Sequence, residues 1–118
     1  MKKRILIVED DQALNDAFSM ILEKDYDVDT AFDGKEALEF TQKQSYDLIL
    51  LDLLMPIMDG KAFLREFDNT NETPVIVFSN LDAKSDIEEV SELGATRYML
   101  KSWASPKELL RLVQDSLA

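Results

Sequence analysis

Five side chains scattered along the chain, Glu9, Asp10, Asp52, Ser79 and Lys101, stand at or just past the ends of short apolar runs. Asp52 is the most telling of them. The unbroken run Leu48 to Leu51 stops on it, and Leu-Leu-Met-Pro and then Asp59-Gly60 follow. Such a run, with turn residues behind it, reads as a strand buried on both faces, the central strand of a parallel sheet. Asp52 then stands at the strand's carboxyl end, the edge where open α/β sheets bind ligands. Taken alone, Asp52 is equally well read as a cap for the loop into the next helix.

The chemistry becomes specific when the five are taken together. In a parallel sheet all these strand ends reach one edge. Three carboxylates meeting there repel one another and raise each other's pKa unless a cation sits among them. Mg²⁺ suits such a place, because it binds through one or two carboxylates, keeps waters and accepts a phosphate oxygen. A lysine adds a compact positive charge and a serine a hydroxyl donor. The set describes a phosphoryl site with Asp52 as its nucleophile. The competing reading pairs Lys101 structurally with Asp52 and leaves the acids after the first strand merely solvated.

The elements that must position these groups alternate regularly. Apolar runs at Ile5–Val8, Val28–Ala31, Leu48–Leu51, Val75–Phe78 and Tyr98–Leu100 are separated by amphipathic stretches, the pattern of five βα units in a doubly wound α/β fold. The sparse second run suits an edge strand. Leu14, Ala17, Phe18, Ile21 and Leu22 recur at helical spacing over about Gln12 to Lys24. Asp33 with Glu36 opens a second helix through about Gln44, and Asp59-Gly60 opens a short third one with Phe63, Leu64 and Phe67 inward. Ser85 with Glu88 caps a fourth, which Gly94 ends and which buries little more than Ile87, Val90 and Leu93, so it is the least firmly held element. Ser105-Pro106-Lys107-Glu108 opens the last, whose inner face is Leu109, Leu112, Val113 and Leu117.

Composition narrows the function. At 118 residues and 46% hydrophobic, residues 1–118 can form one domain with a proper core. No cysteine and no histidine occur, which removes disulfides, thiolate metal sites, triad-type hydrolases and most zinc sites. With 13 basic and 24 acidic residues the net charge is −11, which argues against direct nucleic-acid binding and against anionic lipid, although acidic balance is also a common solubility device. No run approaches the roughly 20 apolar residues of a membrane span. The apolar stretch after Met1-Lys2-Lys3-Arg4 is too short for a signal peptide, so a cytoplasmic location is expected.

Several motifs carry a family resemblance. Ile5-Leu-Ile-Val-Glu-Asp-Asp11, Asp52 with Met55-Pro56 and Asp59-Gly60, Ser79 after Pro74-Val-Ile-Val-Phe, and Tyr98-Met-Leu-Lys101 together resemble the receiver domain of bacterial response regulators, the CheY-like fold. The resemblance spans essentially the whole chain and implies strand order 2-1-3-4-5. It implies that Asp52 accepts a phosphoryl group from a sensor histidine kinase or phosphotransfer protein. It further implies that Asp10, Asp52 and the backbone carbonyl of Leu54 ligate Mg²⁺, with Glu9 holding the ion through water. Lys101 and Ser79 would contact the phosphate oxygens. Tyr98 would turn inward as Ser79 moves, altering the surface of the fourth helix, fifth strand and fifth helix that meets an output partner.

Two positions, Ser102 and Asn80, depart from the family pattern. Lys101 is followed by Ser102, where the family usually has proline, often after a cis bond. A cis bond here would cost about 3 to 4 kcal/mol, so the loop either stores strain or is trans and displaced. Asn80 replaces a usually small residue and narrows access. Leu54 and Leu81 flank the expected line of water attack, where two apolar side chains cannot orient water, so a long-lived acyl phosphate is expected unless the two leucines simply pack together. Trp103 and Leu110 lie off the core pattern and are candidates for a docking patch. The last helix ends just before Ala118, which suits either a stand-alone receiver or one cut from a longer protein.

Other functions fit less well. A receiver-like interaction module that ignores phosphate has no physical need for all five polar groups. An aspartyl phosphatase generally wants a second carboxylate two residues past its nucleophile, and that position is Leu54. A flavin carrier would follow its first strand with Ser, Thr or Gly, where this chain has Glu9-Asp10-Asp11. The expectation is therefore a signalling switch and not an enzyme, apart from its own slow phosphoryl uptake and hydrolysis.

Overall fold

The computed structural model describes residues 2–80, 84–101 and 105–117. Five strands, β1 (Arg4–Val8), β2 (Asp27–Ala31), β3 (Leu48–Leu51), β4 (Val75–Ser79) and β5 (Arg97–Leu100), form one parallel sheet in the order β2-β1-β3-β4-β5. The expected order 2-1-3-4-5 is therefore the observed one, with β2 at an edge. The interleaved helices are α1 (Gln12–Leu22), α2 (Gly34–Lys43), α3 (Gly60–Glu66), α4 (Lys84–Glu92) and α5 (Pro106–Leu117).

Alternation along the strands divides the core in two. Leu6, Val8, Ile49, Leu51, Val75 and Val77 pack against Ala37 of α2, Phe63 and Leu64 of α3 and Val90 of α4. Ile5, Ile7, Leu48, Leu50, Ile76 and Phe78 face the other way, against Phe18 and Leu22 of α1 and Leu109 and Val113 of α5. Both faces of β1, β3 and β4 are thus buried, which is why these strands read as continuous apolar runs. Each fully buried Leu or Ile removes roughly 1.5–3 kcal/mol of apolar exposure, so the central strands are the fixed part of the molecule.

Local sequence sets most of the helix starts. Asp11, Asp33 and Asp59 each accept a hydrogen bond from the backbone N–H three residues on, at 3.1, 2.8 and 2.8 Å. Ser105 Oγ does the same for Glu108 N–H at 3.1 Å. The Glu36 carboxylate reaches back to Phe32 N–H, one residue ahead of the cap. The α4 start differs from expectation, because Lys84 is already helical and Ser85 falls inside the first turn, not ahead of it. Its end is as read: Gly94 has φ +111, and Ala95 N–H donates to the Val90 carbonyl across it at 2.9 Å.

The fourth helix buries little and carries charge pairs to α3. Val90 is its one buried residue, while Ile87 is 37% exposed. Lys61 Nζ of α3 lies 2.6 Å from Asp86 and 2.8 Å from Glu89, and Arg65 lies 2.8 Å from Glu89. On α5 the core pattern is wider than expected: Leu110, placed off it, is partly buried and packs against the second core layer. Leu81, Ser102 and Trp103 lie outside the described residues, and with them the Lys101–Ser102 bond and the proposed Leu54–Leu81 pair. Among the described residues no helix is long and apolar enough to cross a membrane.

Candidate functional site

The parallel register brings the polar strand ends to one rim. Val8 is opposite Leu51 and Ala31, so Glu9 and Asp52 leave neighbouring strands side by side. Ser79 is opposite Leu100, which places it one residue short of Lys101 on the same rim. Backbone bonds fix the exits: Asp52 N–H donates to the Val8 carbonyl and Glu9 N–H to the Ala31 carbonyl, each at 3.0 Å.

Carboxylates gather at the centre of this rim. One oxygen from each of Glu9, Asp10 and Asp52 lies within 4.8 Å of the others. Glu9 is fully buried and Asp52 is 2% exposed, whereas Asp10 is exposed. Lys101 Nζ bridges the two buried acids, 2.6 Å from Glu9 Oε1 and 3.1 Å from Asp52 Oδ2. The same ammonium stands 5.7 Å from the centre of the Phe78 ring. Glu9 Oε2 accepts from Asp11 N–H at 3.1 Å, and Leu54 N–H makes a long 3.4 Å approach to Asp52 Oδ1.

Burial governs the electrostatics. It pushes the Glu9 carboxyl up to about 7, against the opposing pull of Lys101, and the charge on Asp52 adds to the rise. Asp52 is raised for the same first reason, again opposed by Lys101. For Lys101 burial pulls downward, but Glu9 and Asp52 outweigh it and the ammonium is held above its ordinary value. Once all three acids are ionised, three carboxylates less one ammonium leave two negative charges, the complement of one divalent cation. The donors are all hard oxygens, so the set fits Mg²⁺ by charge and by ligand type.

The loop leaving Asp52 is tightly built. Gly60 N–H donates to the Leu53 carbonyl at 2.9 Å, and a Cβ on Gly60 would meet the Asp52 carbonyl and come within 2.8 Å of Leu53 Cα. Within the loop Ile57 has φ +68, a left-handed conformation that costs a β-branched residue dearly, and it is 80% exposed. The Leu54 side chain is 59% exposed. Ser79 is buried at the end of β4. Tyr98 is half-buried beside Ile87 and Val90 at a cleft of about 150 Å³ between α4 and β5.

One contributor escaped the sequence reading. Asn15, on α1, is fully buried and donates through Nδ2 to the Glu9 carbonyl at 2.9 Å. A lone polar residue among apolar ones at helical spacing passes for part of the wet face, so the only available signal was its closeness to the acids.

Comparison with known proteins agrees with this geometry. The family model of the response regulator receiver domain matches residues 5–114. A CheY-like receiver domain protein from Methanospirillum hungatei JF-1 is 28% identical with a TM-score of 0.93, covering 99% of this chain and 94% of that one. The Vibrio cholerae chemotaxis protein CheY4 is 30% identical with a TM-score of 0.91, covering 99% and 100%. The receiver domain of a Francisella response regulator is 33% identical with a TM-score of 0.86, covering 98% and 96%.

Proposed function

Because the chain belongs to the response regulator receiver domains, signalling switches governed by phosphorylation, we propose that Asp52 is its phosphoacceptor and that residues 1–118 work as one receiver domain. The observation that carries the proposal is the Lys101 ammonium set between Glu9 and Asp52 at a rim where three carboxylates converge. An Asp52 oxygen attacks phosphorus, the bond from phosphorus to the donor's imidazole nitrogen breaks, and the electron pair leaves with that nitrogen. The donor is a sensor histidine kinase or a phosphotransfer protein, and the product is an acyl phosphate. Glu9, Asp10 and Asp52, with the Leu54 carbonyl, would hold Mg²⁺, which when bound neutralises charge on the phosphoryl oxygens.

The protein's own groups do the remaining work. Lys101 exchanges a carboxylate partner for a phosphoryl oxygen, and Ser79 donates its hydroxyl to another. The new group brings about −1.5 to −2 charges into a site whose neighbours are already fixed by the sheet. Moving a two-state element from 1:99 to 99:1 takes about 5.5 kcal/mol of differential interaction, within reach of several charge-assisted bonds. The element able to respond is α4 with Tyr98, since α4 buries only Val90. The altered α4, β5 and α5 surface would then bind a downstream protein or output domain. No direct nucleic-acid contact and no membrane enter this scheme, and the setting is cytoplasmic.

Titration with beryllofluoride and Mg²⁺, read by amide exchange, tests the switch. A switch changes protection in α4 and β5 only when the metal is present. A phosphate-independent interaction module would show no change, and that result would overturn the proposal.

A further inference from the structure

Asn15 makes two hydrogen bonds from one amide nitrogen. Nδ2 donates to the Glu9 carbonyl at 2.9 Å and reaches the Ala31 carbonyl at 3.3 Å. Both partners only accept, so the nitrogen must face them. Glu9 N–H also donates to the Ala31 carbonyl, and the side chain therefore closes a small ring joining α1 to the carboxyl ends of β1 and β2. Its Oδ1 is buried and has no partner among the described residues. An orphaned oxygen of this kind is a net cost to folding. An apolar side chain would avoid that cost, so packing does not account for an amide here, whereas the two bonds do.

Those bonds act on the acids. The peptide joining Glu9 to Asp10 is planar, so a fixed Glu9 carbonyl also fixes the Asp10 N–H and the direction in which the chain enters Asp10. Asp10 is exposed, and its aim depends on that backbone more than on packing. The Glu9 side chain leaves the Cα on the other side of the same peptide. We propose that Asn15 is a positioning residue for the metal-binding acids, aiming Glu9 and Asp10 at the point they share with Asp52 by holding the peptide between them. The inference rests on the metal-assisted phosphoryl site described above.

Calorimetric titration of Mg²⁺ into the wild type, Asn15→Leu, Asn15→Ser and Val113→Ala tests it. Groups that orient metal ligands without touching the ion typically contribute about 10–100-fold in affinity, and Asn15→Leu should lose that much. Asn15→Ser keeps one donor and should lose less, and it carries the test should the leucine variant not fold. Val113→Ala weakens the second core layer and takes no part in the hydrogen bonds of the ring, so it should bind Mg²⁺ like the wild type. Wild-type affinity in both Asn15 variants would overturn the inference. So would an equal loss in Val113→Ala, because general destabilisation would then explain the effect. A wild type that binds no Mg²⁺ would overturn the metal site itself, a separate and recognisable failure.

Discussion

The Glu9 carboxyl makes stability depend on pH in the direction opposite to most acids. Burial raises it from 4.5 to about 7, so the folded chain binds this proton more tightly than the unfolded chain does. The stabilisation is fully present below the unfolded value and is lost as pH rises through about 7. The difference of 7 − 4.5 at about 1.4 kcal/mol per unit sets an upper bound of about 3.5 kcal/mol. Replacing Glu9 by Gln removes the titration while keeping the shape. Urea denaturation of both proteins in EDTA, from about pH 5 to about pH 8.5, reads the effect of Glu9 and the partners it shifts, Asp52 and Lys101, because the carboxylates outside this cluster cancel in the difference. The wild type should match or exceed Glu9→Gln at the acid end and fall behind it by up to about 3.5 kcal/mol at the alkaline end. Mg²⁺, which favours the ionised acids, should close the gap in the wild type. Parallel pH curves for the two proteins would refute the reasoning.

Further outcomes follow from other parts of the structure. Lys61→Met should loosen α4, costing about 1 kcal/mol or less in stability and raising amide exchange along the helix, since exposed pairs are each worth about 0.2–1 kcal/mol; salt should reproduce the effect in the wild type and not in the variant. Ile57→Asn should raise stability by about 1 kcal/mol by relieving a left-handed β-branched residue that packs against little, and a lower urea midpoint would contradict this. The acyl phosphate should be long-lived, because Leu54 cannot orient a water; Leu54→Gln should shorten its lifetime severalfold by acid-quench mass analysis, and a wild-type lifetime of seconds would contradict the account.

Much of this was legible in the sequence because the informative features are local. Leu48 to Leu51 is apolar throughout since both its faces are covered, and the run's end marks Asp52 on the rim. Asp33, Asp59 and Ser105 announce their helices through side-chain bonds only three residues long. Features joining distant segments were not legible. The Lys61–Asp86 pair spans 25 residues, and neither residue differs in kind from any solvated charge. Asn15 meets its second acceptor because β2 returns beside β1 and presents the Ala31 carbonyl. Leu110 falls off the core face by helical spacing alone, and its packing against the second core layer is a tertiary property. At Ser85 the capping motif misleads, because the chain is already helical at Lys84, two residues ahead of the Asp86 that the motif makes the first helical residue.

Intact mass after incubation with acetyl phosphate, for the wild type beside Asp52→Asn with and without Mg²⁺, tests the central claim most directly. The account predicts one added phosphoryl group on the wild type in the presence of Mg²⁺, little without it, and none on the variant. Equal labelling of both proteins, or no labelling of the wild type with the metal present, would contradict it.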